Sequence, residues 1–171
     1  MDNHIRIDKV VCDWILSLSN DFHPALVAQN GGVDKEGYVD ENHRKSEVCN
    51  LQLTDTQRDV LVRSLEELNI ASIPKEKRSI NLLRYKKGSF FKEHIDGKAR
   101  YKSLVIQLSD PSDYNGGEFV VDGQIMDKEK GSVFLFDSQT PHEVKELTDG
   151  ERYSLIIWFK PENFNIKTTM I

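Results

Sequence analysis

Apolar and polar positions divide the chain into a helical first part and a strand-rich second part. Residues 8–19 place Val10, Val11, Trp14, Ile15 and Leu18 at helical spacing behind Asp8, a suitable N-cap. They predict an amphipathic helix with its stripe in the core. From His23 to Asn50 the periodicity fades. Gly31-Gly32, Gly37 and the polar run Asp40–Ser46 predict a long loop or loose hairpin, a type of segment that often carries function. Thr54-Asp55-Thr56-Gln57 has the spacing of a capping box and opens a second helix with Val60, Leu61, Leu65 and Leu68 on one face. Pro74 closes this part.

Beyond Pro74 the period shortens. Strands are predicted at Ile80–Tyr85, Phe90–Asp96, Tyr101–Leu108, Glu118–Val121, Gly131–Phe136, Glu143–Leu147 and Arg152–Lys160. Lys87-Gly88 and the run Asp110–Gly117 supply turns. Two helices followed by many short strands predict an α+β, mainly β fold: a double-stranded β-helix, or jelly roll, flanked by N-terminal helices. The expected organisation is one domain over 1–171, with 1–79 as helical and loop support and 80–160 as the jelly-roll core.

Composition narrows the class. Hydrophobic residues at 38% and charged residues at 30% are ordinary for a globular domain. A net charge of −5 argues against a surface that tracks phosphates, so no nucleic-acid partner is expected. Cys12 and Cys49 have no metal-type spacing and predict free thiols in a reducing compartment. With no leader pattern and no bilayer-length apolar run, the expectation is a cytoplasmic chain without a membrane partner. Oligomeric state is not legible.

The chemistry concentrates at His94 and Asp96. Two positions apart on a strand, they point the same way and can occupy two corners of a metal. His142 is the obvious third ligand, and two histidines with one carboxylate form the facial triad of non-haem Fe(II) oxygenases. The competing reading of the pair is a solvated turn before Gly97. Ten residues after His142, Arg152 lies in a strand whose alternation puts Arg152, Ser154, Ile156 and Trp158 on one face. An arginine among apolar neighbours needs an anion, and its fork suits a carboxylate. The alternative is an edge arginine paired with a surface glutamate.

Together these residues resemble the Fe(II)/2-oxoglutarate-dependent dioxygenases, and within them the prolyl 4-hydroxylase branch with its PKHD-type hydroxylases. Tyr85-Lys86-Lys87-Gly88-Ser89-Phe90-Phe91-Lys92-Glu93-His94-Ile95-Asp96 follows that branch's Y-x-x-G-x-x-(Y/F)-x-x-H-x-D run. Leu108–Glu118, Gly131–Ser138 and His142-Glu143-Val144 match three further segments in order. The likeness covers roughly Asn81 to Lys160. Phe91 stands where tyrosine is common, which leaves a packing role and no hydroxyl.

The resemblance implies Fe(II) on His94, Asp96 and His142, with no further catalytic side chain. It implies 2-oxoglutarate on Arg152, assisted by Tyr85 and Ser154, dioxygen as co-substrate and ascorbate as a reductant. It also implies hydroxylation, on a prolyl residue of a peptide or protein, with release of succinate and CO2. Arg44-Lys45-Ser46 resembles the branch's Arg-x-Ser, so Arg44 is a candidate substrate residue against the alternative of a solvated loop charge. Trp158 is another, against the alternative of a core tryptophan. Two other functions stay open. One is oxidative nucleic-acid demethylation, whose enzymes carry a further arginine where this chain has Trp158. The other is a non-catalytic jelly-roll binding module. His4, His23 and His43 carry no ligand signal.

Overall fold

The computed structural model describes residues 5–27 and 37–167. His4 and the 28–36 part of the expected loop lie outside them. Two α-helices occur among the described residues: α1 (Lys9–Ser17) near the start and α2 (Asp55–Ser64) after the first three strands. Asp8 caps α1 by accepting from the Val10 amide, and Thr54 with Gln57 closes the capping box of α2. The strands are β1 (His23–Pro24), β2 (Arg44–Lys45), β3 (Glu47–Asn50), β4 (Ile80–Lys86), β5 (Phe90–His94), β6 (Lys102–Gln107), β7 (Tyr114–Gly116), β8 (Phe119–Val121), β9 (Gln124–Ile125), β10 (Val133–Asp137), β11 (His142–Val144) and β12 (Leu147–Phe159).

They form two antiparallel sheets. The larger runs β1-β3-β4-β12-β6-β10 with β7 beside β12, and the smaller runs β2-β5-β11-β8-β9. This is the expected mainly β double sheet flanked by helices, with α1 before it and α2 between β3 and β4. The 23–50 stretch departs from the expected loop. Its described parts give β1 and β3 to one sheet and β2 to the other, because Val48 and Cys49 find register partners in Leu83 and Leu82 of β4.

The larger sheet is covered on both faces, which explains the near-continuous burial of β4, β6 and β12. One face meets the helices: Cys12, Ile15, Leu61 and Leu65 pack on Leu82, Leu104, Ile106, Leu155, Ile157 and Phe159. The opposite face meets the small sheet through Leu83, Tyr85, Val105, Ile156, Phe119, Val121 and Val144. Each fully buried aliphatic side chain here contributes about 1.5–3 kcal/mol. Two members of the predicted helical stripes fall outside: Val10 is 73% exposed and Val60 41% exposed. Their positions on α1 and α2 rotate away from the sheet, and Cys12 takes the buried place on α1 that Val10 does not. Cys12 and Cys49 are free and buried, as expected.

β12 is the longest strand, and its start is bent where its register against β7 shifts between Leu147 and Asp149. Gly116 at the end of β7 makes that approach possible. Its φ is +70°, and a Cβ there would lie 2.4 Å from the Glu146 carbonyl oxygen. Backbone cannot yield as a side-chain tip can. Gly116→Ala combines a left-handed residue with a backbone clash, so it should lower stability by about 2–3 kcal/mol. A denaturant midpoint measured against the wild type checks this, and an unchanged midpoint would contradict the tight β7–β12 approach.

Candidate metal centre

Antiparallel register brings the imidazoles together. β5 and β11 pair so that His94 and His142 are direct partners, and their rings lie 4.2 Å apart between centroids. Asp96 is two residues past His94 and just beyond the end of β5. Its backbone is pinned by Asp96 N–H donating to Ser138 O at 2.8 Å and by Gln139 Nε2 donating to Asp96 O at 3.0 Å. Ligand atoms of His94, Asp96 and His142 lie within 4.8 Å of one another, with His142 Nε2 3.9 Å from Asp96 Oδ2.

Both rings are set for the same task. His94 Nδ1 lies 2.8 Å from the Lys92 carbonyl oxygen, and His142 Nδ1 lies 2.8 Å from that of Thr140. A carbonyl can only accept, so each Nδ1 carries the proton and each Nε2 turns a lone pair inward. Phe91 stacks on His94 at 3.5 Å between centroids, and Phe136 meets His142 edge-on at 5.0 Å. Burial, then the neighbouring His142, lower the His94 pKa to about 3, so this ring is neutral and ready to ligate.

Asp96 is buried, and a buried carboxylate is costly unless it is paired. Three side chains meet that demand. Ser103 Oγ donates to Oδ2 in a short hydrogen bond, Trp158 Nε1 donates to Oδ2 at 3.0 Å, and Arg100 Nη1 donates to Oδ1 at 3.1 Å. Ser138 Oγ lies 2.8 Å from Ser103 Oγ, and the Arg100 guanidinium lies 3.5 Å from the Trp158 ring centroid. Trp158 and Ser103 are register partners on β12 and β6, which is why they reach the same carboxylate.

The cleft holding this cluster has about 430 Å³ of atom-free space, its mouth included. Its other end is Arg152, on the β12 face predicted from alternation, with Ser154, Ile156 and Trp158 lining the same cleft. Arg152 is 2% exposed, and its Nε and Nη1 have no hydrogen-bond partner among the described residues. Its guanidinium lies 5.4 Å from the ring centroid of Tyr85, its register partner on β4. The Tyr114 hydroxyl faces it too, held by Gln107 Nε2 at 2.8 Å, and burial raises the pKa of that phenol. Two reserved donors on a buried cation fit a carboxylate. The edge-strand pairing considered for Arg152 is not what the structure shows.

Arg44 is buried, which replaces the solvated loop charge weighed for it. Its Nε donates to Ser46 Oγ at 2.8 Å, and its guanidinium lies 4.3 Å from the Phe91 ring centroid. Burial lowers its pKa, with Tyr85 and Asp96 opposing. Trp158 is partly buried, packing against the cleft-side core while it lines the cleft. Ser103, Arg100 and Gln139 carry no functional signal in the sequence, and Ser138 appears there only as the last position of the matched segment Gly131–Ser138.

Residues 80–160 match the model of the 2OG-Fe(II) oxygenase superfamily. A PKHD-type hydroxylase of Gloeothece citriformis is 33% identical over 132 residues, covering 70% of this chain and 60% of that protein. The chain spans between 44% and 63% of the length of such curated relatives. The fold resembles a Pseudomonas putida prolyl-4-hydroxylase at a TM-score of 0.64, with 20% identity and coverage of 92% of this chain and 90% of the other. It also resembles a Trichoplax adhaerens prolyl hydroxylase, solved with a hypoxia inducible factor peptide fragment, at 0.62 and 17% identity, covering 90% and 76%. No helix among the described residues is long and apolar enough to cross a membrane. With motifs, double sheet and these relatives in agreement, residues 80–160 belong to the 2OG-Fe(II) oxygenase superfamily.

Proposed function

We propose that this chain is an Fe(II)- and 2-oxoglutarate-dependent hydroxylase acting on a residue of a peptide or protein, with proline the first choice. One observation carries the reading. A buried arginine with two unused donors shares a cleft with two inward-facing imidazole nitrogens and a buried carboxylate. His94, His142 and Asp96 would hold Fe(II), and their net charge of minus one leaves the metal positive enough to attract an anionic chelating cosubstrate. Arg152 would hold the far carboxylate of 2-oxoglutarate, with Tyr85 and Ser154 beside it. When bound, metal and cosubstrate supply the oxidising power: dioxygen is consumed, 2-oxoglutarate leaves as succinate and CO2, and a substrate C–H becomes C–OH. Ascorbate would keep the metal reduced.

The protein's own share is placement and shielding. The Lys92 and Thr140 carbonyls fix which imidazole nitrogen faces inward. Ser103, Trp158 and Arg100 hold Asp96 in one orientation. Leu83, Val105, Phe119, Val144 and Ile156 line the cleft with apolar surface, and that keeps water away from the reacting bond. Oxidative nucleic-acid demethylation is disfavoured here. The position of its further arginine is Trp158, already committed to Asp96.

Three outcomes test the reading. His94→Ala should abolish Fe(II)-dependent succinate formation from 2-oxoglutarate, and turnover at the wild-type rate would end the enzyme assignment. Arg152→Ala should weaken 2-oxoglutarate binding by about a hundredfold, the scale of losing one partner of a buried charge pair, while Fe(II) still binds. Parallel calorimetric titrations separate the two, and equal loss of both would make Arg152 structural. Trp158→Phe keeps the ring and removes the donor to Asp96. Fe(II) affinity should fall by about tenfold or more, measured by competition with a chelator.

A further inference from the structure

Beyond the cleft lies a wider groove of about 860 Å³ that shares His94, Asp96, Arg44, Phe91 and Trp158 with it. Its apolar surface includes Phe91 and the half-exposed side chains Leu26 and Ile95. Its charges are one-sided. Arg44, Lys98 and Arg100 line it, and Asp96 is the one carboxylate among the described lining residues. Asp96 already belongs to the metal cluster. A cationic groove on a chain of net charge −5 is contrary to the average of its surface.

Among the described residues, neither Arg44 nor Lys98 has a carboxylate of its own. Arg44 is buried and bonded to Ser46 Oγ and, at 3.4 Å, to the Leu26 carbonyl, both neutral, and the one carboxylate it feels, Asp96, is ion-paired with Arg100. No carboxylate stands within ion-pair distance of Arg44 or of the exposed Lys98 among the described residues. A buried guanidinium whose one nearby carboxylate is ion-paired elsewhere keeps part of its desolvation cost, and a bound anion would offset it.

We propose that this groove receives an acidic peptide segment, placing an aspartate or glutamate of the substrate on Arg44 and Lys98 within a few residues of the side chain to be hydroxylated. The inference rests on the hydroxylase reading and names its substrate class. The groove favours a peptide over a nucleic acid, since Leu26, Val27, Phe91 and Ile95 line it beside three cations, on a chain of net charge −5.

The test uses fluorescent peptides of equal length, each with one central proline flanked by acidic, neutral amide or lysine residues. Binding to the full chain with Fe(II) and 2-oxoglutarate under nitrogen is read by anisotropy. The acidic peptide should bind at least tenfold tighter than the neutral one, and salt should erode that preference. Lys98→Glu, an exposed substitution whose fold is checked by thermal melting, should weaken acidic-peptide binding about fivefold and neutral-peptide binding by less than twofold. Arg44→Gln should act in the same direction. Equal affinity for acidic and neutral peptides would overturn the proposal, as would displacement by free glutamate or by a single-stranded oligonucleotide at peptide-like concentrations. Succinate formation from 2-oxoglutarate, assayed in parallel with and without the peptides, keeps the two readings apart. Its absence under every condition would sink the hydroxylase, while a charge-blind groove in an active enzyme would sink only the acidic substrate.

Discussion

A carboxylate held out of water beside two imidazoles is the constraint around which this molecule is arranged. Burial of Asp96 is matched by an indole N–H, a hydroxyl and a guanidinium that point at its two oxygens. These donors come from β12, from β6 and from the turn after β5, so the site exists only while three separate segments stay in register. The two histidines impose a similar demand on β5 and β11. A slip of one residue in either pairing would send a ligand or its support to the opposite face.

β12 meets most of that demand. Its odd-numbered side chains Leu155, Ile157 and Phe159 enter the helix-side core, and its even-numbered ones line the cleft. The same hydrophobic burial that fixes the fold therefore fixes where Arg152 and Trp158 lie. Stability and function are coupled through one strand, and the tight approach of β7 at Gly116 helps to hold its bent start in place.

Much of this arrangement can be read from the chain. Alternation from Arg152 to Phe159 is local, so it correctly sorts cleft from core. Capping at Thr54 is legible for the same reason: donor and acceptor are three residues apart. What escapes is long-range. β1 and β3 are too short and too polar to show a period, and they become strands only because β4 offers a free edge. Val10 and Val60 lie close enough to the apolar stripes to be counted with them, but helix rotation depends on the sheet beneath. Ser103 and Arg100 gain meaning only once Asp96 is near them, and no spacing rule announces that. Arg44 shows the reverse case. A short motif marks it, yet its burial against Phe91 comes from pairing across the small sheet.

The account stands on three side chains sharing one cation. X-ray absorption at the iron edge of the Fe(II)-loaded chain, recorded without oxygen, tests that most directly. The expected spectrum contains two imidazole nitrogens and carboxylate oxygen in the metal's ligand shell, and the imidazole scattering halves in a His142→Ala protein. A shell of oxygen alone, or one unaltered by that substitution, would contradict it.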